Sequence, residues 1–258
     1  MARPKVLVLR TAGTNCDKET VFAFEHAGAE CELLHVNRLL ENRRYLHEFD
    51  ILAIPGGFSY GDDIAAGKIQ ANELRLGMRD EIDKFVEDGK LIIGICNGFQ
   101  VLVKMGILPN LSGKDEQEVS LAWNDSDRFE DRWVYLKVVS SKSVFLKKGQ
   151  IIYLPIAHAE GKFVARDEKV LADLAERNQV VVQYCDAEGK SGPYPVNPNG
   201  SVNDIAGICD KTGRVFGLMP HPERHVFGYH HPRWNREGLK KEGDGMQVFR
   251  NAVQYVSN

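Results

Sequence analysis

The segment that most constrains the fold is the apolar run Leu91–Ile95, which overlaps the sequence G-I-C-N-G at positions 94–98. Five successive apolar or small residues are typical of a strand buried on both faces of a sheet. The following segment, Phe99–Met105, is predicted to be a helix. The chain must therefore turn sharply at Cys96, and the glycines on either side lack the Cβ atoms that would collide in so tight a turn.

Three more short apolar runs precede this one, and helical patterns lie between them. The predicted strands are Lys5–Arg10, Cys31–Val36, Ile51–Ile54 and Leu91–Ile95, and the predicted helices are Asp17–His26, Ile69–Asp88 and Phe99–Met105. Strands without alternating polarity that are separated by helices are typical of a parallel α/β sheet.

The second half of the chain has strand-like segments with mostly short connections. These are Val119–Trp123, Trp133–Val139, Ile151–Ala157, Val180–Cys185, Asp204–Cys209 and Arg214–Leu218, with short helices at Lys169–Arg177 and Gln247–Val256. We expect these strands to pair antiparallel, beside the central sheet or extending it. We therefore predict one α/β domain over residues 1–258, with a mostly parallel central sheet, flanking helices and an added antiparallel region.

Composition excludes several classes of protein. The net charge of −3 without a basic block argues against nucleic-acid binding, and the longest apolar runs are too short to span a bilayer. The N-terminus lacks the apolar stretch of a signal peptide, so a cytoplasmic location is expected. The five cysteines are an odd number without a C-x-x-C pair, which predicts reduced thiols and no cysteine-rich metal site.

Cys96 is the best candidate nucleophile. Its position at a strand-to-helix turn matches the nucleophile elbow, in which the reactive group stands above the sheet. The N-terminus of the following helix favours the thiolate. The alternative interpretation is a small buried cysteine between glycines that serve close packing.

His221 and Glu223 are the candidate base and its orienting carboxylate. The sequence M-P-H-P-E-R at 219–224 follows a predicted strand, and two prolines restrict the backbone around His221. Spacing of two residues in an extended segment can bring Glu223 to the imidazole, where it would fix the tautomer and stabilise imidazolium. The alternative interpretation is an ordinary surface turn.

The glycines of P-G-G-F-S-Y-G-D-D, at 55–63, are candidates for an oxyanion hole. Gly56 and Gly57 allow a backbone turn that aims N–H groups at a developing oxyanion, and the N–H of Asn97 would be the second donor. The alternatives are an ordinary glycine turn and a phosphate-binding loop, although the chain lacks the G-x-x-x-x-G-K-[ST] motif of such a loop.

For other residues with reactive side chains, the sequence favours structural or secondary roles. Cys16 is a second-rank nucleophile candidate, with Thr14 or Asp17 as a helix cap beside it. His158 and Glu160, after a predicted strand, could form a substrate wall or a competing histidine–carboxylate pair. Three histidines lack zinc-ligand spacing and are expected in a polar loop; they are His225, His230 and His231.

Taken together, these motifs resemble the class I, triad-type glutamine amidotransferases. P-G-G-F-S-Y-G-D-D, G-I-C-N-G-F-Q at 94–100 and M-P-H-P-E-R occur in that order. The strings G-T-N-C-D at 13–17, A-H-A-E-G-K at 157–162 and N-P-N-G-S at 197–201 narrow the resemblance to the glutaminase subunits of phosphoribosylformylglycinamidine synthases of purine biosynthesis.

The resemblance implies a flavodoxin-like sheet, glutamine as substrate, glutamate and ammonia as products, and a triad of Cys96, His221 and Glu223. It implies that Gln100 contacts the glutamine head group and that Gly161 is a further contact, with Gly56 also at the substrate. The segment Phe227–Gly243 is longer than the resemblance predicts, and its role is open.

The resemblance also implies partners. A separate, larger synthetase subunit would use ATP and Mg²⁺ to convert formylglycinamide ribonucleotide to formylglycinamidine ribonucleotide, together with a small third subunit. This chain would bind no cofactor or metal itself. Two other hypotheses remain: a stand-alone cysteine hydrolase acting on γ-glutamyl or peptide bonds, and a flavodoxin-like scaffold whose Cys96 is incidental.

Overall fold

The computed structural model describes residues 3–114 and 116–258. The strands are β1 (Lys5–Arg10), β2 (Glu30–His35), β3 (Ile51–Ile54), β4 (Leu91–Ile95), β5 (Val119–Ala122), β6 (Glu130–Val138), β7 (Ile151–His158), β8 (Lys162–Ala165), β9 (Val180–Cys185), β10 (Ile205–Cys209) and β11 (Val215–Leu218). The α-helices are α1 (Asp17–His26), α2 (Val36–Glu41), α3 (Lys68–Glu87), α4 (Asn97–Lys104), α5 (Glu168–Glu176), α6 (Trp234–Glu237) and α7 (Met246–Ser257). Short 3₁₀ helices span Arg43–Glu48, Ser59–Asp62, Val202–Asp204, Pro222–Arg224 and Gly228–His230.

One nine-stranded sheet organises the molecule, in the order β2-β1-β3-β4-β11-β10-β9-β6-β7. The pairs from β2 to β11 are parallel, and those from β11 to β7 are antiparallel. This confirms the predicted α/β fold with a parallel centre and an antiparallel extension. Strand β5 pairs antiparallel with β8 in a separate two-stranded sheet, whereas β11, which was expected to pair antiparallel, pairs parallel with β4 on one side.

The central strands are buried because helices cover both faces of the parallel part. Every residue of β3 and β4 is buried, as their unbroken apolarity predicts. The long helix α3 buries one stripe of its surface, while α4 is buried on nearly every side. The stripe of α3 consists of Gln70, Ala71, Leu74, Met78, Ile82 and Phe85.

Five strand ends meet at one edge of the sheet. Strands β1, β3, β4 and β11 are mutually parallel, so their carboxyl ends lie side by side, where open α/β sheets bind ligands. Strand β7 runs in the same direction as β11, because four successive antiparallel pairings lie between them in the sheet. The sheet curls enough for β7 to reach β11, since the His221 N–H donates to the Pro155 carbonyl at 2.8 Å.

Among the α-helices and strands of the described residues, the sequence-based prediction missed α2, α6 and β8. Helix α2 begins at Val36, which was assigned to the preceding strand; His35 caps it by accepting the Asn37 N–H at its Nδ1. Strand β8 is only four residues long, and its pairing with β5 is a long-range contact that no local pattern reveals.

The segment 227–243 forms a folded loop that packs against α1. Its Phe227 ring contacts the rings of Phe22 and His26. The chain then returns, with the Gly243 N–H donating to the Val226 carbonyl. Among the helices of the described ranges, none is long and apolar enough to cross a membrane.

Candidate active site

Cys96 occupies a strained turn between β4 and α4. Its backbone lies at φ 52° and ψ −105°, a conformation that costs about 1–3 kcal/mol and is typical of functional sites. A Cβ on Gly94 would lie 2.6 Å from the Gly98 carbonyl oxygen, and one on Gly98 would lie 1.8 Å from that of Ile54. Both flanking glycines are therefore required by close backbone approach, for the reason the sequence suggested.

His221 follows β11, the strand that neighbours β4. The Cys96 N–H donates to the Leu218 carbonyl at 2.8 Å, so the elbow and the end of β11 are held together. The His221 Nδ1–H donates to Glu223 Oε1 at 2.6 Å, and both side chains are almost completely buried. The segment carrying Glu223 is a 3₁₀ turn, Pro222–Arg224, and not the extended strand we expected. The turn brings the carboxylate to the ring all the same.

Electrostatics favour a charged imidazole at this position. Burial lowers the pKa of His221, but the Glu223 carboxylate and the Cys96 thiolate beside it outweigh burial and hold the pKa well above its usual value. The His221 Nε2 has no hydrogen-bond partner among the described residues. This nitrogen is therefore free to exchange a proton with a reacting group.

Gly56 is the point where the reactive groups meet. A Cβ there would lie 2.8 Å from His221 Cε1, 3.4 Å from Cys96 Cβ and 3.3 Å from Cys16 Sγ. The sulfur of Cys16 also lies 3.8 Å from His221 Nδ1. The structure thus brings together Cys96, His221 and Glu223, and it adds Cys16, which the sequence ranked only as a second candidate.

Gly57 presents a free N–H on the side of β4. Gly57 faces Thr14 across an antiparallel bridge that is closed by the flanking Asn15 N–H and Phe58 N–H groups. In such a pair the N–H groups of the facing residues point away from each other. Within residues 3–114 and 116–258, neither the Gly57 N–H nor the Asn97 N–H donates to another group. Two donors are thus available near Cys96, as an oxyanion hole requires.

A cavity of about 270 Å³ opens beside Cys96. Its walls come from the loop after β3, the start of α4 and the end of β7. The lining residues are Gly57, Phe58, Gly61, Asp62, Ala66, Cys96, Gln100, Trp123, Ala157, His158, Ala159 and Glu160. Residues 157–160 therefore form one wall of the cavity, one of the two roles that the sequence left open for this segment.

Asn97 and Gln100 tie the cavity walls together through their side chains. Asn97 Oδ1 accepts from the Ser59 N–H, and Asn97 Nδ2 donates to Asp62 Oδ1 and to Gln100 Oε1. Gln100 Nε2 donates to the Glu160 carbonyl at 2.5 Å. The loop over the cavity is thus fastened to the helix that begins at the nucleophile.

His158 is held as a neutral ring in the same wall. Its Nδ1 lies 3.1 Å from Asn124 Oδ1, while its Nε2 is buried and unpartnered among the described residues. Burial, aided by the nearby His221, lowers the pKa of His158 to about 3. His158 therefore does not form the competing histidine–carboxylate pair that the sequence allowed. Asn124, which organises this wall, was missed because nothing in its local pattern marks it.

Gly161 lies against the His158 ring and does not line the cavity. Its N–H donates to Asn124 Oδ1, and its carbonyl accepts from Asn199 Nδ2. A Cβ on Gly161 would lie 2.2 Å from the His158 ring. Its direct contact with substrate remains a prediction, while its visible role is to make room for that ring.

Neither predicted cap of α1 is present. Cys16 itself is the N-cap residue and makes no side-chain capping bond, and the Thr14 hydroxyl accepts the Thr11 N–H instead. Donor atoms of Cys16, His221 and Glu223 lie within 4.8 Å of one another, a spacing that could hold a metal ion. The Arg224 guanidinium, which donates to Cys16 Sγ at 3.0 Å, places a positive charge against that donor set.

Comparison with known proteins agrees with this geometry. The model of the CobB/CobQ-like glutamine amidotransferase domain matches residues 3–256. The chain belongs to this glutamine amidotransferase family. Among similar proteins, phosphoribosylformylglycinamidine synthase subunit PurQ of Dehalococcoides mccartyi is 53% identical over 99% of both chains. The same subunit of Methanococcus maripaludis is 44% identical over 98% of both.

One solved structure is similar to this chain over the whole fold. A chain in the structure of PurLQS from Thermotoga maritima superposes with a TM-score of 0.75 and 33% identity, covering 99% of this chain and 100% of that one. The similarity therefore includes the curled antiparallel extension as well as the parallel centre.

Proposed function

We propose that this chain is the glutaminase subunit of phosphoribosylformylglycinamidine synthase. It hydrolyses glutamine to glutamate and ammonia and passes the ammonia to a synthetase that makes formylglycinamidine ribonucleotide. The observation that carries the proposal is the cavity at Cys96, backed by His221 and Glu223, in a chain similar over its full length to subunits of that name. The roles of individual residues in the reaction belong to the same proposal.

The first half-reaction forms a thioester. The Cys96 thiolate attacks the side-chain amide carbon of glutamine, and the resulting oxyanion accepts the free N–H groups of Gly57 and Asn97. The imidazolium of His221 gives its Nε2 proton to the departing nitrogen, so ammonia leaves and the γ-glutamyl thioester remains. Glu223 stabilises the imidazolium that this step consumes.

The second half-reaction releases glutamate. Neutral His221 takes a proton from water at Nε2, and the hydroxide equivalent attacks the thioester carbon. The same two N–H groups hold the second oxyanion, and its collapse expels the Cys96 thiolate beside a regenerated imidazolium. Loss of one such donor costs about 10²–10³ in kcat in enzymes of comparable chemistry.

Partners complete the proposal. A large synthetase subunit would bind ATP and Mg²⁺, and a small third subunit would join it, while this chain binds no cofactor or metal. The five cysteines are all free thiols, which supports a cytoplasmic location. Because unused ammonia would be lost, we expect the isolated chain to have low activity until the partner closes the site.

Reconstitution with the synthetase and the small subunit tests the proposal. Product formation is measured with either glutamine or ammonium salts as the nitrogen source. Wild type should use both, whereas Cys96→Ala should use ammonium only, because the synthetase needs no thiol. Glutamine-dependent synthesis by Cys96→Ala would show that Cys96 is not the attacking thiol. Full glutaminase activity of the isolated chain on many γ-glutamyl compounds would instead favour a stand-alone hydrolase.

A further inference from the structure

Cys16 is a thiol of the site that the proposed chemistry does not use. It is completely buried and does not line the cavity, so it cannot contact substrate. Its sulfur lies 3.1 Å from Asn15 Oδ1, 3.0 Å from Arg224 Nη2 and 3.8 Å from His221 Nδ1. Any effect of Cys16 on the reaction must therefore pass through the imidazole and the groups behind it.

The directions of the hydrogen bonds around Cys16 follow from its neighbours. A guanidinium can only donate, so Cys16 Sγ accepts from Arg224. The amide oxygen of Asn15 can only accept, so the Cys16 S–H donates to it. Burial raises the pKa of the Cys16 thiol, and the proton therefore stays on the sulfur. Cys16 is a neutral group fixed between one donor and one acceptor.

Arg224 and Glu223 are adjacent and oppositely charged, yet they do not form an ion pair. Glu223 Oε1 is taken by His221, and Glu223 Oε2 is buried without a hydrogen-bond partner among the described residues. The Arg224 charge is close enough to Glu223 for the two to interact electrostatically. The guanidinium nevertheless donates to the sulfur of Cys16.

We propose that Cys16 is a positioning residue whose sulfur holds the Arg224 guanidinium away from Glu223, so that this carboxylate acts on His221 alone. The inference rests on the proposed function. Were Arg224 to pair with Glu223 Oε2, much of the carboxylate charge would be neutralised, and the imidazolium would lose its main stabilising partner. A neutral thiol suits this role because it accepts one N–H without adding a charge.

The inference predicts a specific change in pH dependence. The ionisable groups that face His221 are Cys16, Cys96, His158, Glu223 and Arg224. In Cys16→Ala the guanidinium loses its acceptor and is expected to turn to Glu223. The fall in glutaminase activity at high pH, the basic limb of the pH–rate profile, should then occur about one pH unit lower. At pH values above the shifted limb, kcat should be about tenfold lower than in the wild type, with KM nearly unchanged.

The test measures kcat and KM for glutamine against pH in the reconstituted complex. Cys16→Ser retains an acceptor and should keep the wild-type limb, and Cys31→Ala is the matched control for loss of a thiol outside the site. In the double variant Cys16→Ala with Arg224→Gln, the misdirected charge is gone, so the basic limb should return toward wild type. Cys16→Val replaces Cys16→Ala if the latter does not fold, as judged by thermal unfolding.

Three results would overturn the inference. The first is a basic limb that stays in place in Cys16→Ala, and the second is a limb that stays shifted after Arg224→Gln is added. The third is a Cys16→Ser limb displaced as far as that of Cys16→Ala. If wild type and Cys31→Ala hydrolyse no glutamine in the complex, the proposed function itself fails and the inference falls with it.

Discussion

Replacing Glu223 by glutamine removes one charge from the site while keeping the shape of the side chain. In the wild type, His221 Nδ1 and Glu223 Oε1 are 2.6 Å apart, and the two side chains are 2% and 0% exposed. A hydrogen bond to a charged group contributes roughly 1.5–3 kcal/mol net. Since each 1.36 kcal/mol is tenfold, kcat/KM for glutamine should fall by about 10- to 150-fold.

The same substitution should lower the pKa of the His221 imidazole. Without the Glu223 charge, burial of the ring dominates, so less imidazolium is present at neutral pH to stabilise a thiolate on Cys96. The assays are glutamine hydrolysis by the reconstituted complex and the rate of Cys96 alkylation by iodoacetamide across pH. The alkylation rate at neutral pH should fall, and the basic limb of hydrolysis should move to lower pH.

Glu118→Gln is the matched control, because Glu118 is another buried carboxylate that accepts two backbone N–H groups and lies outside the cavity. It should leave both assays unchanged. The reasoning would be refuted by a Glu223→Gln complex within twofold of wild type and with an unshifted limb. Such a result would mean that Glu223 has no electrostatic role in the reaction.

Two further predictions concern folding and the cavity wall. Gly98→Ala should lower the free energy of urea unfolding by about 1–3 kcal/mol and reduce activity, because its Cβ would lie 1.8 Å from the Ile54 carbonyl oxygen. In Gly192→Ala the new Cβ meets only the side chain of Val196, at 3.3 Å, so the loss of stability should be smaller and activity unchanged. Equal effects of the two substitutions would contradict the packing argument. His158 has a folded pKa of about 3 against about 6.5 in the unfolded chain, so the unfolded state binds the extra proton between these values and stability falls as the pH is lowered. His158→Gln should flatten this dependence by up to about 1.4 kcal/mol per pH unit in urea titrations, and an unchanged slope would show that His158 is not buried in its neutral form.

Local pattern predicted the parallel half of the fold well because its strands are unbroken apolar runs bounded by clear helices. Leu91–Ile95 and Ile51–Ile54 match β4 and β3 residue for residue. The partners of the later strands were harder to predict. Which strand pairs with Val119–Ala122 depends on a long-range contact with a four-residue strand, and alternation within either segment carries no information about it.

The site could be assembled from the sequence where a backbone constraint marks the residue. Glycines flank Cys96 and prolines flank His221, so both positions were visible as motifs. Cys16 and Asn124 carry no such mark. Cys16 acquires its position because the end of β1 is folded against the ends of β3 and β11, and Asn124 because the end of β5 is folded against the end of β7. This proximity is a property of the tertiary structure.

The central claim is that Cys96 is the thiol that attacks glutamine, and affinity labelling tests it most directly. The reconstituted complex is treated with a diazoketone analogue of glutamine, and the modified cysteine is located by peptide mapping. The account predicts one label, on Cys96, that excess glutamine prevents and that His221→Ala slows. A glutamine-protected label on Cys16, Cys31, Cys185 or Cys209, with Cys96 left unmodified, would contradict it.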